Sequence, residues 1–198
     1  MKVLVVGATG TIGKAVVQAL SPRHEVVSVG HSGGALRVDL ADKASLARLF
    51  ETSGRVDAVI CTAGAARFGV FAKLSDEDFQ FSLANKLMGQ VNLVRVGAAA
   101  VADGGSFTLT SGVLSQLPMP GSAAISLVNA GLEGFVRAAA LELPRSIRIN
   151  VVSPPWVTET LQAMNMDPSP GTPAAVVARA YVRSLEGSGT GLTLDARD

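Results

Sequence analysis

Along this chain the hydrophobic positions switch repeatedly between two periods, short runs that read as buried strands and spaced stripes that read as helices. Lys2-Val3-Leu4-Val5-Val6 is mostly β-branched and apolar and predicts a short buried strand. Ile12, Ala15, Val16, Ala19 and Leu20 then recur at i, i+3, i+4, i+7 and i+8, the stripe of an amphipathic helix. Glu25 to Val29 predicts a second strand, and Ala35 to Val38 a short third one ending at Asp39. Lys43 to Glu51 predicts a helix with Leu46, Leu49 and Phe50 on one face. Val56 to Cys61 follows as strand four, with the turn Thr62-Ala63-Gly64 after it. Ser75-Asp76-Glu77-Asp78 supplies a cap and first-turn acids for a longer helix whose core stripe passes through Leu83, Leu87, Val91 and Val94. Ser106 to Thr110 predicts strand five, and Ser122 to Leu143 a long helix stopped by Pro144. Ile147 to Val152 is strand six, closed by Pro154-Pro155. Pro173 opens a helix with Val177, Ala180, Tyr181 and Leu185 on one face, and Gly191 to Leu194 is a last short strand.

Strands separated by helices demand a parallel sheet with helices on both faces, connected by right-handed crossovers. The expectation is a doubly wound, Rossmann-type α/β sheet of about seven strands, one domain over 1–198, with no linker or repeat. Ligands of such sheets bind beyond the carboxyl ends of the strands, beside strand one, where the strand order reverses.

The junction of the first strand with the first helix carries the chemistry. Gly7, Gly10 and Gly13 stand at spacing three, in Gly7-Ala8-Thr9-Gly10-Thr11-Ile12-Gly13. A strand that turns through glycines into a helix presents unpaired N–H groups and the positive end of a helix dipole, which suits a phosphate. Gly7 serves the tight turn, Gly10 the approach of a diphosphate, and Gly13 close packing of helix on strand.

Composition narrows the class. The chain has 198 residues, 48% apolar and 17% charged, with a net charge of +1 and no basic block. That balance supports a full core and argues against a nucleic-acid partner. The single cysteine, Cys61, lies in an apolar run, so an inert buried thiol in a reducing, cytoplasmic setting is expected. The strand pattern starts at once, which leaves no room for a signal peptide. Residues 104–132 carry no charge, yet Pro118 and Pro120 interrupt them, so they are expected to be buried or interface-forming rather than membrane-spanning. His24 and His31 are too isolated for a metal site.

The order of motifs resembles the short-chain dehydrogenase/reductase family over nearly the whole chain. The residues that carry the resemblance are the glycine turn, Asp39-Leu40, Ala63-Gly64, Thr110-Ser111, Gly131-Leu132-Glu133-Gly134 and Ile147-Arg148-Ile149-Asn150-Val151 leading to Pro154. The glycine spacing looks like the family's extended or atypical members. The resemblance implies a dinucleotide with Thr9, Thr11 and Ile12 at the diphosphate, Asp39 and Leu40 at the adenine, and Ala63 and Gly64 at its ribose. After strand two the chain reads Gly30-His31-Ser32-Gly33-Gly34, with no carboxylate to repel a 2′-phosphate. His31 and Ser32 can donate to one, which favours NADP(H) over NAD(H).

The family's chemistry rests on a serine after strand five and a Tyr-x-x-x-Lys pair on the next helix. Ser111 matches the serine. Counted back from Gly131-Leu132-Glu133-Gly134, Ile125 occupies the tyrosine position and Asn129 the lysine position. Asn129 can bind a ribose but supplies no positive charge. Adjacent Asn85 and Lys86 both fall near the place of the family's helical asparagine, with the spacing to Gly89 favouring Lys86, which is a candidate for proton transfer, directly or through a water, if burial depresses its pKa. Ser111 can orient a carbonyl, although a serine with no base nearby is a weak acid. Tyr181 has core-like spacing, while Arg67, Phe68, Phe71, Trp156, Met164 and Met166 are candidates for an apolar wall or lid.

Three functions fit these residues: an NADP(H)-dependent oxidoreductase of a small carbonyl/alcohol pair with an altered proton-donor set, a catalytically silent NADP(H)-binding sensor or scaffold, and a nucleotide-sugar or isomerase-type activity, because related folds host other chemistries. Small residues at Ala123, Ala124, Gly131, Gly134 and Ala138 on the long helix point to close pairing with a second subunit, and the resemblance implies a dimer or tetramer.

Overall fold

Seven parallel strands form the centre of the computed structural model, which describes residues 1–197. They are β1 (Lys2–Val6), β2 (Glu25–Gly30), β3 (Leu36–Arg37), β4 (Val56–Cys61), β5 (Val101–Thr110), β6 (Arg148–Ser153) and β7 (Thr193–Asp195). Their order is β3-β2-β1-β4-β5-β6-β7, so the winding reverses between β1 and β4. Both faces are covered, which is why the strands read as continuous apolar runs. On β1, Leu4 and Val6 join one core with Leu46, Leu49, Phe50 and Leu93. Val3 and Val5 join the opposite one with Val16, Leu20, Val177 and Tyr181. The helices are α1 (Thr11–Leu20), α2 (Lys43–Ser53), α3 (Asp76–Ser82), α4 (Gly89–Gly97), α5 (Ala123–Ala139), α6 (Thr158–Ala163) and α7 (Ala174–Glu186).

Several boundaries differ from the expectation. The helix that starts at the Ser75 cap is not continuous: α3 runs into a π turn over Leu83–Met88 before α4 begins. The cap itself forms, with Ser75 Oγ accepting from Asp78 N and Asp78 Oδ2 accepting from Ser75 N. Strand five starts at Val101, because buried Val101 pairs with Val56 before a register shift brings Ser106 opposite Ala58. The polar Asp103-Gly104-Gly105 between them hid that pairing. The long helix stops at Ala139 and tightens into i→i−3 bonds from Leu141 and Glu142. The backbone ahead of Pro144 disfavours the α conformation, which accounts for the early stop. The last strand is displaced to Thr193–Asp195 because Gly191 has a φ of +74°. Helix α6 had no counterpart in the sequence reading.

Candidate active site

The turn after β1 is built around its glycines. Gly7 has a φ of +87°, and a Cβ on it would fall 2.7 Å from Thr62 Oγ1. A Cβ on Gly13 would fall 2.0 Å from the Gly7 carbonyl oxygen, so α1 can pack on the turn only without one. Gly10 is the N-cap of α1 and no side chain caps that end. The first-turn N–H groups therefore face outward to meet an anion, with Thr9 and Thr11 exposed beside them. Thr9 also leans on β2: a Cβ on Gly30 would lie 3.2 Å from its Oγ1.

A cavity of about 330 Å³ opens at the reversal of the sheet, with Gly7, His31, Asp39, Leu40, Ala63 and Gly64 in its wall. The structure thus gathers the expected adenine and ribose residues at one place. Asp39 Oδ1 accepts from Ala41 N at 2.9 Å, which ties the carboxylate to its own turn. Ser32 is exposed beside His31 and stands outside this wall.

A second cavity, of about 190 Å³, has Ile12, Ser111, Ile125, Asn129, Pro154 and Trp156 in its wall, and no charged side chain among the described residues lines it. Asn129 Nδ2 donates to the Gly112 carbonyl at 3.4 Å, while Oδ1 is buried with no partner. A buried acceptor left unmade costs about 1–3 kcal/mol, so this atom favours a hydroxyl-bearing ligand. Together with the uncapped end of α1, it shows that the residues present fit a dinucleotide.

Lys86 lines neither cavity but touches a wall residue of each. The π turn carries it there, and Gly89 lets the turn close on Leu40, whose Cβ would be 3.0 Å from a Cβ at that position. The Lys86 stem lies against Gly64, and Nζ donates to the Ser111 carbonyl at 3.1 Å. The residue is half-buried with its charged end enclosed, and this desolvation pushes the ammonium down to about 8.

Sequence reasoning missed Glu133. Ile125, Asn129 and Glu133 follow one another at spacing four along one face of α5, and that spacing was the signal. Glu133 is buried, and its Oε1 accepts from Ser111 Oγ at 3.0 Å and from Ser115 Oγ at 2.6 Å. The expectation of a serine with no base nearby is therefore corrected: a carboxylate stands directly behind it.

Known proteins share the sequence pattern and the fold. A family model described as enoyl-(acyl carrier protein) reductase matches residues 6–186. The chain belongs to the short-chain dehydrogenase/reductase family. Among solved structures, the protein lin1944 from Listeria innocua is 36% identical with a TM-score of 0.94, over 98% of each chain. A small-chain dehydrogenase in complex with NADPH is 28% identical with a TM-score of 0.87, over 98% of this chain and 95% of that one. Oxidoreductase UcpA of Salmonella typhimurium is 29% identical over 157 residues, 75% of this chain. The chain spans only 60% of the length of that relative. The human 3-oxoacyl-[acyl-carrier-protein] reductase is 28% identical over 175 residues, 77% of this chain and 74% of its own length.

In this short-chain dehydrogenase/reductase the remaining candidates separate cleanly. Tyr181 is wholly buried, with its hydroxyl 2.7 Å from Thr110 Oγ1. Arg67 turns away from the site, its guanidinium 4.0 Å from the Phe81 ring centroid and 3.5 Å from Asp78. Trp156 reaches the second cavity, whereas Phe68, Phe71, Met164 and Met166 are exposed. Ala124 is buried, and a Cβ on Gly131 would meet Leu87 of the same chain, so both pack internally. Among the described residues no helix is long and apolar enough to cross a membrane. No group of three or more His, Cys, Asp or Glu among them is placed to hold a metal.

Proposed function

We propose that this short-chain dehydrogenase/reductase binds NADP(H) and interconverts a small, neutral carbonyl compound with its alcohol. The observation that carries the reading is the unpaired buried Oδ1 of Asn129 in the wall of the Ser111 cavity, which suits a hydroxyl of the nicotinamide ribose. The backbone around Gly7, Gly10, Thr11, Ile12 and Gly13, with Thr9, takes the diphosphate. Asp39 and Leu40 take the adenine, and Ala63 and Gly64 its ribose. His31 and Ser32 take the 2′-phosphate, and Pro154 closes the nicotinamide end. The NADPH complex of a related dehydrogenase supports binding of a nicotinamide dinucleotide. When bound, the cofactor supplies or accepts the hydride. Ser111 holds the substrate oxygen, and Lys86, anchored on the Ser111 carbonyl, lends the positive charge that Asn129 lacks. The uncharged wall of the cavity, with Trp156 in it, selects a neutral and largely apolar substrate.

The test is binding followed by turnover. Saturation at a hundredfold over Kd stabilises the fold by about 2.7 kcal/mol, and NADPH is expected to do so at lower concentration than NADH. Loss of nicotinamide absorbance with a carbonyl substrate, abolished in Ser111→Ala, supports the redox reading. Binding with inertness across a broad carbonyl and alcohol panel supports the second reading, a cofactor sensor or scaffold. That alternative draws on Ile125, which can neither ionise nor donate a hydrogen bond in the tyrosine's place.

We also propose a homodimer in a reducing, cytoplasmic setting. A groove between α4 and α5, with Val94, Ala98, Phe135, Ala138 and Leu143 in its wall, is the surface for a second copy. Light scattering that returned the 20.2 kDa monomer at micromolar concentration would argue against it.

A further inference from the structure

Ser111 is one end of a chain of three hydrogen-bonded side chains, with Glu133 in the middle and Ser115 at the other end. Its hydroxyl donates to Glu133 Oε1 at 3.0 Å, and Ser115 Oγ donates to the same oxygen at 2.6 Å. The second distance is that of a charge-assisted bond to a carboxylate. Ser111 reaches the cavity wall while Glu133 lies one bond deeper. Half-buried Ser115 also has its Oγ 3.0 Å from the Gly112 carbonyl. A hydroxyl whose proton already points at a carboxylate is a poor donor to a substrate carbonyl and a good acceptor from a substrate alcohol.

We propose that the Ser111 hydroxyl is a relay that passes the substrate's proton to Glu133 and takes it back. The proposal rests on the redox reading above. In the oxidation direction, the substrate O–H bond breaks and its proton bonds to Ser111 Oγ. The Ser111 O–H bond breaks in concert, and that proton bonds to Glu133 Oε1. The electron pair of the former substrate O–H bond closes the C=O double bond as the carbinol hydride leaves to the bound oxidised dinucleotide. Ser111 ends neutral, and Glu133 ends as the carboxylic acid. Reduction runs the same path backward. Glu133 touches neither substrate nor cofactor, so it acts only through Ser111.

Glu133→Gln is the informative variant, because the amide oxygen still accepts from both serines but cannot take the proton. The experiment uses the whole chain with NADP⁺ and benzyl alcohol as the neutral, apolar probe. Expected are an unchanged thermal shift with NADP⁺, little change in KM, and a kcat lowered by about a hundredfold or more, in the range of general acid–base effects. Glu133→Asp, which keeps a carboxylate, recovers part of the loss. A second readout does not depend on a rate: protein carrying ¹³C-carboxyl glutamate, with the Glu133 signal identified by its loss in Glu133→Gln. In NADP⁺-loaded wild type, benzyl alcohol should move that signal, and in Ser111→Ala it should not. Wild-type kcat in Glu133→Gln, or a Glu133 signal indifferent to the alcohol, overturns the relay while leaving the redox reading in place. A wild type that binds no dinucleotide sinks both.

Discussion

The ammonium of Lys86 is tied to the backbone carbonyl of Ser111, 3.1 Å away, and not to its hydroxyl. The hydroxyl is left to Glu133, so one serine links a cation on its main-chain side with a carboxylate on its side-chain side. In the family the tyrosine and lysine share three tasks: moving a proton, supplying positive charge and holding the ribose. On the function proposed here, those tasks fall to Ser111, Lys86 and Asn129 respectively.

Lys86 gives the first prediction. Its pKa falls from 10.5 to about 8 through burial, so the folded state binds less proton than the unfolded one between those values. Stability contributed by this group therefore rises as the pH climbs from about 8 toward 10.5. Below that window its burial costs a constant amount of roughly 3 kcal/mol. Lys86→Met is expected to be more stable than wild type near pH 7, less whatever the lost Ser111 hydrogen bond was worth, and to lack the alkaline rise. Urea denaturation near pH 7 and near pH 10 measures it. An identical gap between variant and wild type at both values would mean that Lys86 titrates normally.

The glycine turn gives a prediction that separates fold from ligand. A Cβ on Gly13 would sit 2.0 Å from the Gly7 carbonyl oxygen, and only movement of α1 can relieve that. Gly13→Ala should lose about 1–3 kcal/mol of stability and its NADPH response together. At Gly10 the nearest atom to a Cβ is 3.4 Å away, so Gly10→Ala should fold within about 1 kcal/mol of wild type. Its methyl group instead occupies the diphosphate's approach, so NADPH-induced stabilisation should collapse. A Gly10→Ala protein with an undiminished NADPH shift would place the diphosphate elsewhere.

Much of this was written in the sequence because it depends on neighbours close along the chain. The turn from β1 into α1, the Ser75–Asp78 cap and the span Val56–Cys61 are all local patterns, and they form where expected. The gathering of Ile12, Ser111, Asn129 and Pro154 was legible through the resemblance, which supplied the long-range placement. What escaped depends on single distant contacts. A π turn at Leu83–Met88 shifts hydrogen bonds without altering composition, so a 3.6-residue stripe drawn through Leu83 and Leu87 passed over it. Glu133 entered the sequence only as one letter of the Gly131-Leu132-Glu133-Gly134 motif, since the partners that bury it, Ser111 and Ser115, lie 22 and 18 residues away.

Tyr181, the only tyrosine, tests whether the family's phenol chemistry has moved to another helix. Its hydroxyl lies 2.7 Å from Thr110 Oγ1 deep under the sheet, and burial pushes its pKa up. Tyrosinate absorbance should therefore stay absent until the protein unfolds in alkali. Tyr181→Phe should cost about 1 kcal/mol, the net worth of one buried hydrogen bond, and leave the NADPH shift intact. A Tyr181→Phe variant that folds but loses turnover would reassign the proton donor.

The cofactor's 2′-position gives the last test. His31 lines the first cavity at the end of β2, where a carboxylate would accept from a ribose hydroxyl and repel a phosphate. His31→Asp should weaken NADPH and strengthen NADH, and a tenfold change in either Kd corresponds to about 1.4 kcal/mol. Trp156 is the only tryptophan and stands at the second cavity, so its emission reports both titrations in one protein. If the ratio of the two affinities does not move, the phosphate is held by another group. Strand register names it: Arg37 pairs with Gly30, the residue just before His31, and brings an exposed cation to that edge. Arg37→Ala would then lower NADPH affinity and spare NADH, because an arginine that holds only the phosphate contributes nothing when the phosphate is absent.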